Sequence, residues 1–267
     1  MAFENYFPSA TPIFKYEGKK HLLEIWEQKY YRNIPFLIFK MDESTFLTDF
    51  IHTRNEKISK IWKSYEYSSN NLLIEMNESK PHAAAADEFK FIIMNWAKSV
   101  SEKRLLPWGS YPVARDSGFK KPDGAWGPKE RLRWPTIVFE VGVTEFAESL
   151  QNNMKNWLEN SEGAVNVALS IRVTKTRVTV ARWDLENNSE RSAFISQSMF
   201  MTRRSKIPRI SGHLGFSYEE AFLESPQGEG KDFTLTEELL RDFVTSVWDQ
   251  WDNEEQEKAS SKQPVTN

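Results

Sequence analysis

The chain contains no cysteine, which removes disulfides, a thiolate nucleophile and zinc–thiolate sites together. It has only four histidines, and they are scattered without zinc-ligand spacing. No apolar run approaches the roughly 18 residues that a membrane-spanning helix needs. Residues 1–14 lack a basic stretch followed by an apolar one, so no export signal is legible and the expectation is an intracellular protein without a membrane anchor. An excess of positive charge is missing too. The formal net charge is -3, so any contact with nucleic acid must come from local clusters and not from a global field. Gly228-Glu229-Gly230-Lys231 has neither the spacing nor the following hydroxyl residue of a phosphate-binding loop. No Gly-x-Ser-x-Gly elbow marks a hydrolase nucleophile, and no internal repeat is found.

What is present is a globular composition: 267 residues, 39% hydrophobic, with ten tryptophans. That length can bury a sizeable core in one domain or two. Residues 1–63 read as a mainly helical extension, with His21, Leu22, Ile25, Trp26 and Tyr30 at helical spacing and a short apolar strand at 34–39. Residues 64–76 read as a hairpin, and a helix follows near 83–100 with Phe89, Ile92, Ile93 and Trp96 on its buried face. Thr136 to Val141 is a near-continuous apolar run, the mark of a strand covered on both faces. A helix is predicted over 144–159, with Leu150, Met154 and Leu158 inward and Gly163 stopping it. A second hairpin is predicted over 164–183. Thr234 and Glu237 have capping-box spacing ahead of an amphipathic C-terminal helix, and residues 252–267 are polar enough to be disordered.

The chemistry concentrates in the centre. Pro122-Asp123 opens one strand, and Glu140 sits inside the apolar run Ile137-Val138-Phe139-Glu140-Val141. If these strands pair antiparallel, both carboxylates meet at one end, where hard oxygen donors suit Mg²⁺ or Mn²⁺. Lys155, on the following helix, could then offset charge on a transferring phosphate. Plainer readings stand beside each assignment: a turn aspartate, a buried paired carboxylate and a solvated lysine. Glu140 resists its plainer reading most, because a carboxylate in such a strand is costly unless paired or metal-bound.

The block resembles the Uma2-type (DUF820) branch of the PD-(D/E)xK restriction-endonuclease-like superfamily. The residues that carry the resemblance are Leu73-Ile74-Glu75-Met76, Pro81-His82, Pro122-Asp123, Pro135 through Glu140-Val141, Lys155, Gly163 and Val165 to Ile171. Their order and approximate spacing hold over residues 64–183. The resemblance implies an α/β fold with a restriction-endonuclease-like core and a mixed sheet, at 64–215. Extensions would flank it at 1–63 and 216–251, with a disordered tail at 252–267. It implies Asp123 and Glu140 as ligands of Mg²⁺ or Mn²⁺, with the backbone carbonyl of Val141 as a third. It also implies that Lys155 replaces the lysine usually found two residues after the glutamate, where this chain has Gly142. Thr144 is the nearest match to a small polar residue of that branch.

Two accessory candidates precede the block: His82, otherwise a cap or packing residue, and Glu88, otherwise solvated. Among the basic residues around the acidic strands, Lys120, Lys121, Arg131 and Arg133 are the candidates for gripping a phosphate backbone, with Trp108, Trp126 and Trp134 between them. A second basic set runs through Arg172, Lys175, Arg177, Arg182, Arg203, Arg204, Lys206 and Arg209. The acidic run 249–257 would repel nucleic acid. The expectation is therefore a metal-dependent nuclease hydrolysing DNA, with no small-molecule cofactor. The alternative is a catalytically inactive nuclease-fold protein that binds nucleic acid or protein. The apolar stripe of the C-terminal helix offers a route to a homodimer or another partner.

Overall fold

The computed structural model describes residues 11–28, 30–31, 34–76, 78–102, 105–109, 111–129, 133–143, 147–186, 192–203 and 208–260. Elements are numbered along the chain, which divides into two compact units.

The first unit comprises residues 1–78 and 110–122. It contains β1 (Ile13–Lys15), α1 (Lys19–Glu27), β2 (Phe36–Lys40), α2 (Glu43–Phe46) running into a π-helical turn (Leu47–Ile51), α3 (Glu56–Ile61), β3 (Trp62–Glu66) and β4 (Asn71–Glu75). Two later strands, β6 (Val113–Arg115) and β7 (Gly118–Lys120), complete it. Together the strands form a six-stranded sheet in the order β1-β2-β4-β3-β7-β6. α2 and α3 start where short polar side chains take the first free N–H groups: Asp42 accepts from Thr45 at 2.9 Å and Asn55 from Ile58 at 3.1 Å. An aromatic stack holds the core, with the Phe46 ring 4.1 Å from that of Tyr65 and 5.2 Å from Trp62. Residues 1–63 are therefore not a helical extension. They supply two of the sheet's six strands, β1 and β2, and the 62–75 hairpin belongs to this unit instead of opening the core expected at 64–215.

The second unit comprises residues 79–109 and 123–267. It runs through α4 (Lys80–Val100), β5 (Leu105–Pro107), β8 (Gly124–Pro128), β9 (Ile137–Val143), α5 (Ala147–Asn160), β10 (Val167–Val173), β11 (Arg177–Leu185), β12 (Ala193–Thr202) and β13 (Arg209–His213). A small pair, β14 (Gly215–Phe216) and β15 (Phe233–Thr234), flanks α6 (Tyr218–Phe222), and α7 (Glu237–Ser260) ends the described chain. The main sheet has seven strands in the order β13-β12-β11-β10-β9-β8-β5. All neighbours run antiparallel except β9 and β10, which are parallel and joined by α5. This is a mixed sheet with helices on both faces, the α/β class that the sequence leads one to expect.

Alternation along β9 sorts its side chains between two layers. Ile137, Phe139 and Val141 pack with Ala85, Phe89, Phe243 and Val247 of α4 and α7. Val138, Glu140 and Gly142 face α5, where a Cβ on Gly142 would meet Leu150 at 3.1 Å. Both faces are covered, which is why the strand reads as continuously apolar. Two sequence expectations need correction here. The cap of α7 is Thr236, which accepts from Leu239 N–H at 3.2 Å, while Thr234 lies in β15. The helix also continues through residues 252–260, where its acidic side chains form ion pairs with Lys80, Lys175 and Arg203. Its apolar stripe (Leu240, Phe243, Val244, Val247, Trp248) is buried within this core, so it offers no free face for a homodimer.

Candidate acidic centre

The ladder between β8 and β9 ends at the pair Gly124–Phe139. Continuing that register places Asp123 opposite Glu140, at the end of the sheet where β9 finishes. Two residues beyond Phe139, the N–H of Val141 has outrun β8, and the Asp123 side chain takes over: Oδ2 accepts from Val141 N at 2.7 Å. The same oxygen stands 3.4 Å from Nε2 of His82. His82 is placed there by the start of α4, where Ser79 accepts from the His82 N–H at 3.3 Å and Pro81 occupies the first turn. Asp123 and His82 are both largely shielded from water. A residue's N–H and C=O leave an extended strand on the same side, so the Val141 carbonyl shares the edge that Asp123 occupies.

Glu140 is tied to the other layer. It is 1% exposed, and its Oε1 accepts from Nε1 of Trp157 on α5 at 2.7 Å. Beside it on β10, Ser170 pairs in register with Glu140 and accepts from Trp183 Nε1 at 2.8 Å. A buried indole N–H therefore meets part of the cost of burying this carboxylate. Sequence reasoning missed Trp157, although its signal was there. Trp157 lies three residues after Met154 and seven after Leu150, on the inward stripe of α5.

That same helical phase turns Lys155 outward. Its side chain is 54% exposed and its Nζ lies 3.8 Å from Glu159, one turn along α5. The structure thus brings His82 to Asp123 and Trp157 to Glu140, and it does not bring Lys155 to either carboxylate. Glu88 is also directed elsewhere, accepting from the Ser246 hydroxyl of α7 at 3.0 Å. Lys120 and Lys121, expected to grip a phosphate backbone, are each only 5% exposed. Lys121 donates to the Ser59 carbonyl and lies 3.9 Å over the Trp62 ring. Burial and the nearby Lys63 push its pKa down to about 7. Both lysines, the last of β7 and the residue after it, are buried and present no exposed ammonium. Arg133 is exposed. Arg131 and Thr144 lie outside the described residues.

The donor set matches a hard divalent cation in kind, being two carboxylates and a backbone carbonyl. Its arrangement matches only in part. Asp123 already accepts from the Val141 N–H, whereas one oxygen of Glu140 is taken up by Trp157 and its other oxygen would be the one to ligate a cation. Among the described residues no three His, Asp or Glu side chains are grouped to hold a metal.

A comparison with solved structures returns a protein of Anabaena variabilis described as "a putative nuclease belonging to DUF820". It is 12% identical, with a TM-score of 0.33, covering 67% of this chain and 86% of that one. No family model matches the chain, and no curated protein does. The description of a mixed α/β sheet rests on strand order and layering, not on that likeness. Among the described residues, no helix is long and apolar enough to cross a membrane.

Proposed function

We propose that this chain is a DNA-directed nuclease whose centre is the acidic pair Asp123 and Glu140. What supports this reading is the β8–β9 register: continued one pair past Gly124–Phe139 it sets Asp123 opposite Glu140, a carboxylate buried in an otherwise apolar strand. Asp123, Glu140 and the Val141 carbonyl are the residues that would hold Mg²⁺ or Mn²⁺. A bound divalent cation would lower the pKa of a coordinated water and neutralise charge developing on the phosphate. His82, whose Nε2 lies 3.4 Å from Asp123, orients that carboxylate. Trp157 fixes Glu140. Lys155 has no assigned step, since its ammonium faces solvent beside Glu159.

A second reading has its own support. The Trp157–Glu140 hydrogen bond and the outward Lys155 suit a non-catalytic nuclease-fold protein that binds DNA without cutting it. Plasmid cleavage in Mg²⁺ or Mn²⁺ separates the two. The nuclease reading expects wild type to nick supercoiled DNA. Asp123→Asn and Glu140→Gln should lose on the order of a hundredfold in rate, and Lys155→Ala should stay within about twofold. Wild-type binding without cleavage favours the second reading. Equal cutting by wild type and both carboxylate variants removes the acidic pair from the mechanism.

A further inference from the structure

One end of the seven-stranded sheet gathers an unusual set of side chains. Val143 pairs with Val173, Val173 with Val178, and Arg177 with Thr202. The finish of β9 and β10, the start of β11 and the finish of β12 therefore lie side by side. Asp123, which precedes β8, is at this same end. Lys175 occupies the β10–β11 turn, and Arg203 follows β12 with its N–H on the Thr176 carbonyl. The first turn of α4 contributes Lys80, two residues before the His82 that touches Asp123. Three cations thus stand at the sheet end that carries the candidate acidic centre.

The last turns of α7 engage all three. The Lys80 N–H donates to Glu254 at 2.8 Å, and its Nζ to Glu257 at 2.5 Å. Lys175 Nζ donates to both oxygens of Glu255, at 2.8 and 3.1 Å. Arg203 makes a two-pronged pair with Asp252, at 2.9 and 2.5 Å, which holds that carboxyl below its usual range. The side chains in these ion pairs are between 38% and 65% exposed. Exposed pairs of this kind are individually weak and screened by salt. Beyond Trp251 the helix has no large apolar side chain to bury, yet it continues to Ser260. The spacing of anions along it follows the cations beneath.

We propose that Asp252, Glu254, Glu255 and Glu257 act as an intramolecular substitute for a phosphate backbone. They occupy a cationic surface formed by Lys80, Lys175 and Arg203, and DNA binds there by displacing them. The choice of DNA as the polyanion rests on the function proposed above; the masking contact itself does not. Masking keeps a protein of negative net charge from binding nucleic acid indiscriminately, and it places the competing anion at the sheet end that carries Asp123.

The test measures binding of a fluorescein-labelled DNA duplex by anisotropy, with EDTA present so that cleavage plays no part. The full chain carrying Asp252→Asn, Glu254→Gln, Glu255→Gln and Glu257→Gln is compared with wild type at about 50 mM salt. Its affinity is expected to rise roughly tenfold, with a steeper loss of affinity as salt increases. Adding Lys175→Ala and Arg203→Ala should return it to the wild-type value. A control with the same charge change elsewhere (Glu229→Gln, Glu237→Gln, Glu238→Gln and Asp242→Asn) should stay within about twofold of wild type. Unchanged affinity in the first variant overturns the proposal, as does a gain that the control shares. Wild type gives a second readout that needs no variant. Hydrogen exchange over residues 249–260 should accelerate when the duplex is added, and unchanged or stronger protection there sinks the idea. Tighter binding without metal-dependent cutting would defeat the nuclease reading and leave this one standing. Cutting by wild type with no change in binding would do the reverse.

Discussion

A buried ammonium needs partners, and Lys121 finds them in the face of Trp62 at 3.9 Å and in the Ser59 carbonyl. They do not offset the loss of water and the repulsion from Lys63, which together bring its pKa from 10.5 to about 7. The consequence has a definite sign. The folded chain gives up this proton near pH 7, while the unfolded chain keeps it until about 10.5. Between those values the unfolded chain binds more protons, so stability rises as pH rises. Below pH 7 both states are charged and the burial penalty acts in full. Lys121→Met should therefore exceed wild type in stability at pH 6, by on the order of a few kcal/mol. That advantage should shrink toward pH 10. Urea unfolding at pH 6, 8 and 9.5 checks it, and parallel curves for the two proteins would show that Lys121 stays protonated throughout. The sequence placed Lys121 among DNA contacts because it sits two residues before Asp123. Proximity along the chain carried no information about burial.

Among the elements, β9 was the most legible, since a seven-residue strand covered on both faces has to be apolar almost throughout. Its exception, Glu140, stood out for the same reason. The partners of that exception were harder to read. Helical phase along α5, set by Leu150 and Met154, turns Trp157 inward and Lys155 outward, so the cation of the expected triad is displaced by an indole N–H. The small strands β14 and β15 have only two residues each, too few to show any period. Beside β9, β8 is shaped by a close approach. A Cβ on Gly124 would lie 2.2 Å from the Phe139 ring, which is itself fully buried. Gly124→Ala must then push Phe139 out of its contacts with Trp126 and Phe89, costing about 1–3 kcal/mol as an overpacked core. It should also disturb the adjacent Asp123. Chemical denaturation gives the first effect, and a variant as stable as wild type would mean that the β8–β9 pair is looser than the register implies. Gly142 is milder, because the atom a Cβ would meet first is the terminal methyl of Leu150 at 3.1 Å.

At the scale of the whole chain the sequence concealed the most. Local periodicity pointed to hairpins and helices such as α4 and β10–β11 but could not report that the chain leaves one unit at residue 79, returns for 110–122, and leaves again at Asp123. That path is set by long-range pairing of β7 with β3, which has no local signature. Its result is two separate apolar clusters, and separate cores can lose stability separately. Phe46 tests this. It is fully buried, stacked on Tyr65 and in edge contact with Trp62, and all three belong to the first unit. Phe46→Ala removes a large ring from that cluster alone and should cost it about 3–5 kcal/mol. In hydrogen exchange, residues 36–40 and 62–75 should then lose protection, while 137–143 and 167–173 keep it. If both sets fall together, the two cores unfold as one cooperative body despite their separate packing. The acidic centre at Asp123 would then depend on the integrity of the first unit as much as on its own strands.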